Sequence, residues 1–170
     1  MQLGLSVLLA MFGVFSFVTA SAAQTGERAR KGSFKVTIQQ DGSWEGFAIE
    51  NRFWVWIARR KGEFAGDGIL DGMTSTCISK GRTAYGISKA EIYCENTDSD
   101  GEKIFESSDE ECACGPGGEG GAGKGRFLGG TGKYVGIRGL FKIERRVGPR
   151  DQVKRTWTDY VTVTGNWTLP

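Results

Sequence analysis

The chain has 170 residues, a formal net charge of +2, four cysteines and no histidine. The missing imidazole excludes Ser-His-Asp and Cys-His nucleophile systems and His-bound catalytic zinc, so any catalysis falls to carboxylates, Tyr, Lys, Arg, Cys or ordered water. A charge so near balance gives no reason to expect a nucleic-acid partner, and no motif asks for a cofactor.

From Leu3 to Val18 the chain is almost wholly apolar, and the small residues Thr19 to Ala23 follow. Ala20-Ser21-Ala22 or Ser21-Ala22-Ala23 offers the side chains that signal peptidase accepts, although no Lys or Arg precedes the apolar run. The run is shorter than the roughly 20 residues that span a bilayer. Residues 1–23 are therefore expected to be a cleaved secretory signal peptide. Residues 24–170 then form a single domain, periplasmic or extracellular, with no membrane span. A domain of that size buries roughly two thirds of its unfolded surface, enough for a real core.

No stretch has a helical period, whereas strand-like alternation recurs. Ser33–Gln39 places Phe34, Val36 and Ile38 on one face, and Trp44–Glu50 follows a turn at Asp41-Gly42. Phe53–Arg59 is the most apolar strand. Met73–Ser79 and Thr83–Glu95 are expected to pair around Lys80-Gly81-Arg82, and Lys103–Glu106 reads as a short strand. The text GPGGEGGAGKG at 115–125 has almost no side chains to bury and reads as a flexible loop. Gly125–Leu128, Gly139–Val147 and Val153–Trp167 complete an all-β set joined by short glycine-bearing turns, the pattern of an up-and-down barrel or a sandwich.

Four cysteines in an exported chain suggest disulfides. Cys77 and Cys94 lie on two neighbouring predicted strands and are expected to pair, which stabilises by roughly 3 kcal/mol in the chain-entropy model. Cys112 and Cys114 have one residue between them. A direct bond there is strained, so free or redox-active thiols are the alternative. The spacing lacks the paired CxxC of zinc sites, and no metal is expected.

Charge is segregated along the chain. Glu91–Glu111 is acidic and Lys124–Arg155 is basic, so the two segments either attract each other in the fold or sit on solvated faces. Gly118-x-Gly120-x-x-Gly123 matches a dinucleotide fingerprint only by letters, without a βαβ context. Asn96-Thr97-Asp98-Ser99-Asp100-Gly101 resembles half a calcium loop, but Ser107 stands where a bidentate Glu is needed, so a tight Asx-type turn is the simpler reading. Asn166-Trp167-Thr168 is a glycosylation sequon. On the last strand, Val153, Arg155, Trp157, Asp159, Val161 and Val163 share one face by period two. If that face points inward, Arg155 and Asp159 form an opposed pair beside Trp157, able to orient a ligand or exchange protons; a structural ion pair is the plainer alternative. Glu91 and Tyr93 are weaker lumen candidates of the same kind.

The text GGTGKYVGIRG at Gly129–Gly139 resembles a signature of the allene oxide cyclase-like barrels, a superfamily that includes the plant cyclases and the dirigent proteins. The likeness is closer to small exported bacterial members, which place a cysteine-bearing strand pair and an acidic turn upstream. Here these are Met73–Ser79 with Cys77, Ala90–Cys94, and Asp98–Phe105. The resemblance implies an eight-stranded antiparallel barrel with an internal cavity and a homotrimeric assembly. It brings no active-site residue across one by one, so it speaks to fold and not to chemistry.

The expectation is an exported barrel that binds a small apolar or amphipathic molecule in its lumen. One alternative is a cyclase- or isomerase-type enzyme working without histidine on a lipid-like or aromatic substrate. Another is a structural envelope protein whose lumen is packed solid.

Overall fold

A computed structural model describes residues 29–114 and 120–170. The expected signal peptide at 1–23 and the start of the glycine tract lie outside the described residues. The described chain forms eight strands: β1 (Lys31–Glu50), β2 (Phe53–Asp67), β3 (Thr74–Ala84), β4 (Ile87–Thr97), β5 (Lys103–Ala113), β6 (Gly120–Gly130), β7 (Arg138–Asp151) and β8 (Thr156–Thr168). Each pairs antiparallel with its sequence neighbours, and β8 returns to β1, so the sheet closes into a barrel. Closure satisfies most of the edges that an open sheet would expose. A single 3₁₀ turn, Gly132–Tyr134, is the only helical element among the described residues.

Period-two alternation sets the inner face. Along β1, Phe34, Val36, Ile38 and Gln40 are buried, while Lys35, Thr37, Gln39 and Asp41 are exposed. The outer faces of β7 and β8 carry Lys142, Glu144, Arg146, Thr162 and Thr164 beside the exposed Leu140 and Tyr160. No helix among the described residues is long and apolar enough to cross a membrane.

Two expected turns are not turns. The chain runs straight through Asp41-Gly42 in β1 and through Lys80-Gly81-Arg82 in β3. Gly42 is the register partner of Trp157, and Gly81 that of Trp56. A Cβ on either glycine would run into the facing indole. These glycines make room for cross-strand tryptophans and do not bend the chain. The real β3–β4 turn is Tyr85-Gly86, both at positive φ, as a two-residue hairpin of type I′ demands.

The glycine tract is likewise misread as a loop. From Gly120 onward it is strand β6, hydrogen-bonded to β5 and β7. The inward positions Gly121, Gly123 and Gly125 are filled by neighbours: Cys112, Glu110 and the ring of Phe141 occupy the space a Cβ would need. Strand β5, expected as a four-residue piece, extends through eleven residues to Ala113, and β8 begins at Thr156, so Val153 and Arg155 belong to the preceding turn.

Cys77 and Cys94 are direct register partners and form the expected disulfide. Cys112 and Cys114 are joined to each other, and no free cysteine remains among the described residues.

Candidate functional site

Residue type changes along the barrel axis, which divides the lumen into three levels. One end is packed solid. Phe34, Phe127 and Phe141 meet there with ring centroids 5.5–6.4 Å apart, among Val36, Ile38, Ile104, Ile143, Val161 and Val163. Leu70 and Met73 from the β2–β3 connection and Ile137 from the β6–β7 connection complete the plug.

Above the plug lies a polar belt. Arg145 on β7 is almost wholly buried and donates from Nε and Nη2 to the two carboxylate oxygens of Glu110 on β5, at 2.7 and 2.9 Å. Its Nη1 donates to Asp159 on β8 at 3.0 Å. Arg60 on β2 lies 3.9 Å from Glu110, and Arg150 lies 3.7 Å from Asp159. Burial works against the charge on Arg145, but Glu110 and then Asp159 outweigh it and hold its pKa up. Burial opposes the Glu110 carboxylate too, and Arg145 brings its pKa down. Burial, reinforced by Arg145, pulls Arg60 down to about 10.

Glu106 sits deeper in the same belt. Burial, with some help from Glu110, pushes its carboxyl up to about 7, against the opposing pull of the Asn96 amide. That amide faces it at a geometry short of a formed hydrogen bond, since Glu106 Oε2 and both amide atoms of Asn96 have no partner. Gln40 Oε1, Arg60 Nε and Ser79 Oγ are buried and unpaired as well. Leaving such groups unpaired costs about 1–3 kcal/mol each, so this much unmet capacity inside the barrel calls for a reason.

Above the belt the lumen widens into a cavity of about 1600 Å³, open at the far end among the described residues. Trp44, Trp56, Ala90, Glu110 and Gly123 are among the residues that line it. Trp56 Nε1 donates to Thr83 Oγ1 at 3.1 Å, which fixes the indole against the wall.

The structure brings two of the five expected lumen residues into the lumen. Trp157 and Asp159 are inward and buried. Arg155 is not the partner of Asp159. It adopts positive φ in the turn before β8 and its guanidinium lies over the Trp44 ring, 5.3 Å from the centroid, at the rim of the cavity. The side chains of Glu91 and Tyr93 point outward, because Ile92 between them is buried, although Glu91 still borders the cavity. Glu91 pairs with Lys80 at 2.9 Å on the outer wall, and Tyr93 is half exposed. Glu106, Glu110, Arg145, Arg60 and Asn96 are the belt residues that sequence reading missed. Period two counted onward from Ile104 gives Glu106, Ser108 and Glu110, but only if β5 is taken as a full-length strand.

The acidic turn is an Asx turn. Asp98 Oδ1 accepts from the amides of Asp100 and Glu102, each at 2.9 Å, and Gly101 takes positive φ. The Lys133 ammonium occupies the centre of the turn, 2.5 Å from Asp98 and 2.6 Å from Asp100. Among the described residues no cluster suited to a metal occurs. Arg145 with Glu110 and Lys133 with Asp98 show the basic and acidic segments attracting each other in the fold.

Comparison with protein-family models, with curated proteins and with solved structures finds no match to this chain.

Proposed function

We propose that the chain is an exported barrel that binds a small amphipathic molecule in the open half of its lumen. The observation that carries this reading is an open cavity walled by Trp44 and Trp56, in a barrel that also buries unpartnered polar atoms on Gln40, Arg60, Ser79, Asn96 and Glu106. A packed structural lumen would have no use for either, whereas a guest with a polar end and an apolar body, or the water it brings, would suit both. The solid phenylalanine plug accounts for only one end of the barrel. The likeness of Gly129–Gly139 to the allene oxide cyclase-like barrels supports a ligand-holding lumen and a trimer. The four paired cysteines fit an oxidising compartment.

A second reading, a cyclase or isomerase, is favoured by one group. A buried carboxyl held near 7 beside an amide is matched to moving a proton at neutral pH, and Glu106 is such a group.

Native mass spectrometry of the mature protein from its own host tests the binding reading. A stoichiometric small molecule is expected. A chain that comes out empty and also binds no neutral apolar dye refutes it.

A further inference from the structure

The two ends of the barrel treat their loops in opposite ways. At the plugged end Leu70, Met73 and Ile137 turn inward and are buried, and among the described loop residues there only Val135 stays exposed as a large apolar side chain. At the open end the hairpins β1–β2, β3–β4 and β7–β8 carry theirs outside. These are Phe47, Ile49 and Trp54 on the first, Tyr85 and Ile87 on the second, and Val153 on the third. Val153 is 94 % exposed and Tyr85 82 %. Phe47, Arg82 and Arg155, one from each hairpin, also border the cavity, so the apolar tips surround its mouth.

These tips are held in place and not left over. Pairing of β1 with β2 continues to Glu50 and Phe53 after β8 has left β1 at Ser43, so that hairpin runs on past its neighbour. Tyr85 sits at φ 51 in a turn where Asn or Gly is the favoured residue. Its amide donates to the Arg52 carbonyl oxygen at 3.2 Å, which joins the second tip to the first. A bulky ring is thus kept at a strained position and left facing solvent.

Basic side chains stand among the apolar ones. In the segments 47–54, 82–87 and 148–155, Arg52, Arg82, Lys154 and Arg155 are exposed. Glu50 and Asp151 are the only carboxylates there, and Arg150 reaches toward Asp159. Apolar tips interleaved with cations match an interface where hydrocarbon lies beneath anionic headgroups. A second copy set mouth to mouth would bring these cations against themselves. A rigid protein partner would have to fill the gaps between separate tips, whereas a lipid surface yields to each of them.

We propose that the open end of the barrel docks on an anionic lipid surface. Phe47, Ile49, Trp54, Tyr85 and Val153 enter the headgroup layer, and the cations rest on its phosphates. Docked this way, the cavity opens onto lipid and not onto water. An empty barrel would dock equally well.

Vesicle co-sedimentation of the mature protein tests this, with phosphatidylcholine alone and with a three-to-one mixture of phosphatidylcholine and phosphatidylglycerol. The mixture is expected to bind about tenfold more tightly, and added salt removes the difference. Tyr85→Asn, which the turn favours, combined with Val153→Ser keeps the melting temperature and lowers affinity for both kinds of vesicle several-fold. Arg52→Asn combined with Lys154→Gln lowers affinity for the mixture alone, by about tenfold. A protein that binds neither vesicle, or variants that bind as the parent does, overturns the inference and leaves the binding reading to its own test. So does ultracentrifugation in which the tip variants break up a dimer or trimer, because the tips then meet another copy.

Discussion

Arg145 grips Glu110 with two parallel hydrogen bonds, Nε to Oε2 and Nη2 to Oε1, across a lumen that contains no other bidentate pair among the described residues. The two residues come from β5 and β7, with the glycine strand β6 between them. Because Gly123 has no side chain, nothing stands between the guanidinium and the carboxylate. Arg145→Met leaves Glu110 and Asp159 buried without their shared partner. A loss of about 3–5 kcal/mol is expected in urea denaturation, with part of it recovered when Glu110→Gln and Asp159→Asn are added.

Glu106 should make stability fall as pH rises. The folded chain keeps its carboxyl protonated up to about 7, whereas the unfolded chain releases that proton near 4.5. Between those values the native state holds more protons than the unfolded state, so stability declines across the window and stays lower above it, by about 3 kcal/mol. Glu106→Gln should remove the decline. Urea unfolding at pH 5 and pH 8, on both proteins, measures it.

Gly125 faces the ring of Phe141, and Ser107 O lies 2.8 Å from where a Cβ would stand. Gly125→Ala is expected to cost about 1–3 kcal/mol through overpacking. Adding Phe141→Leu should return part of that loss, which thermal denaturation of the single and double variants would reveal.

Replacing Cys77 and Cys94 together by serine should cost about 2–4 kcal/mol. Non-reducing peptide mapping of the parent chain should show these two linked. Mapping that leaves them unlinked removes the bridge.

The Lys133 ammonium, between Asp98 and Asp100, should govern the order of the acidic turn. Burial works against the Asp98 carboxylate, but the bond from Lys133 and the amides of Glu102 and Asp100 outweigh it and hold its pKa at about 2. The Asp98 contribution is complete above its ordinary value of 3.8 and is lost as pH falls through about 2. Amide exchange at Asp100 and Glu102 should therefore stay slow at pH 3.5 in the parent chain. In Lys133→Met it should quicken well before that pH is reached.

The barrel was legible from alternation, because β1, β7 and β8 bury every second residue, apolar along the plug and polar only at Gln40, Arg145 and Asp159. The misread turns and loop share one physical source. Gly42, Gly81 and Gly125 are indistinguishable in sequence from turn or loop residues, yet each is the register partner of a ring: Trp157, Trp56 and Phe141. Pairing glycine with an aromatic across strands is a long-range fact, and no local window contains it. The site was harder to read for the same reason. The acidic run that supplies Glu106 and Glu110 reads as a solvated surface until β5 is known to cross the whole barrel, and the partner of Asp159 is set by the register between β7 and β8 and not by spacing along β8. The nearby Arg155 looked like that partner because period two was carried through a turn.

The phenylalanine plug makes the barrel a cul-de-sac. On the binding reading, anything held in the lumen leaves by the mouth it entered, so the described barrel would serve as a vessel and not a conduit. Release would then be controlled at the rim, where Arg155 rests on Trp44.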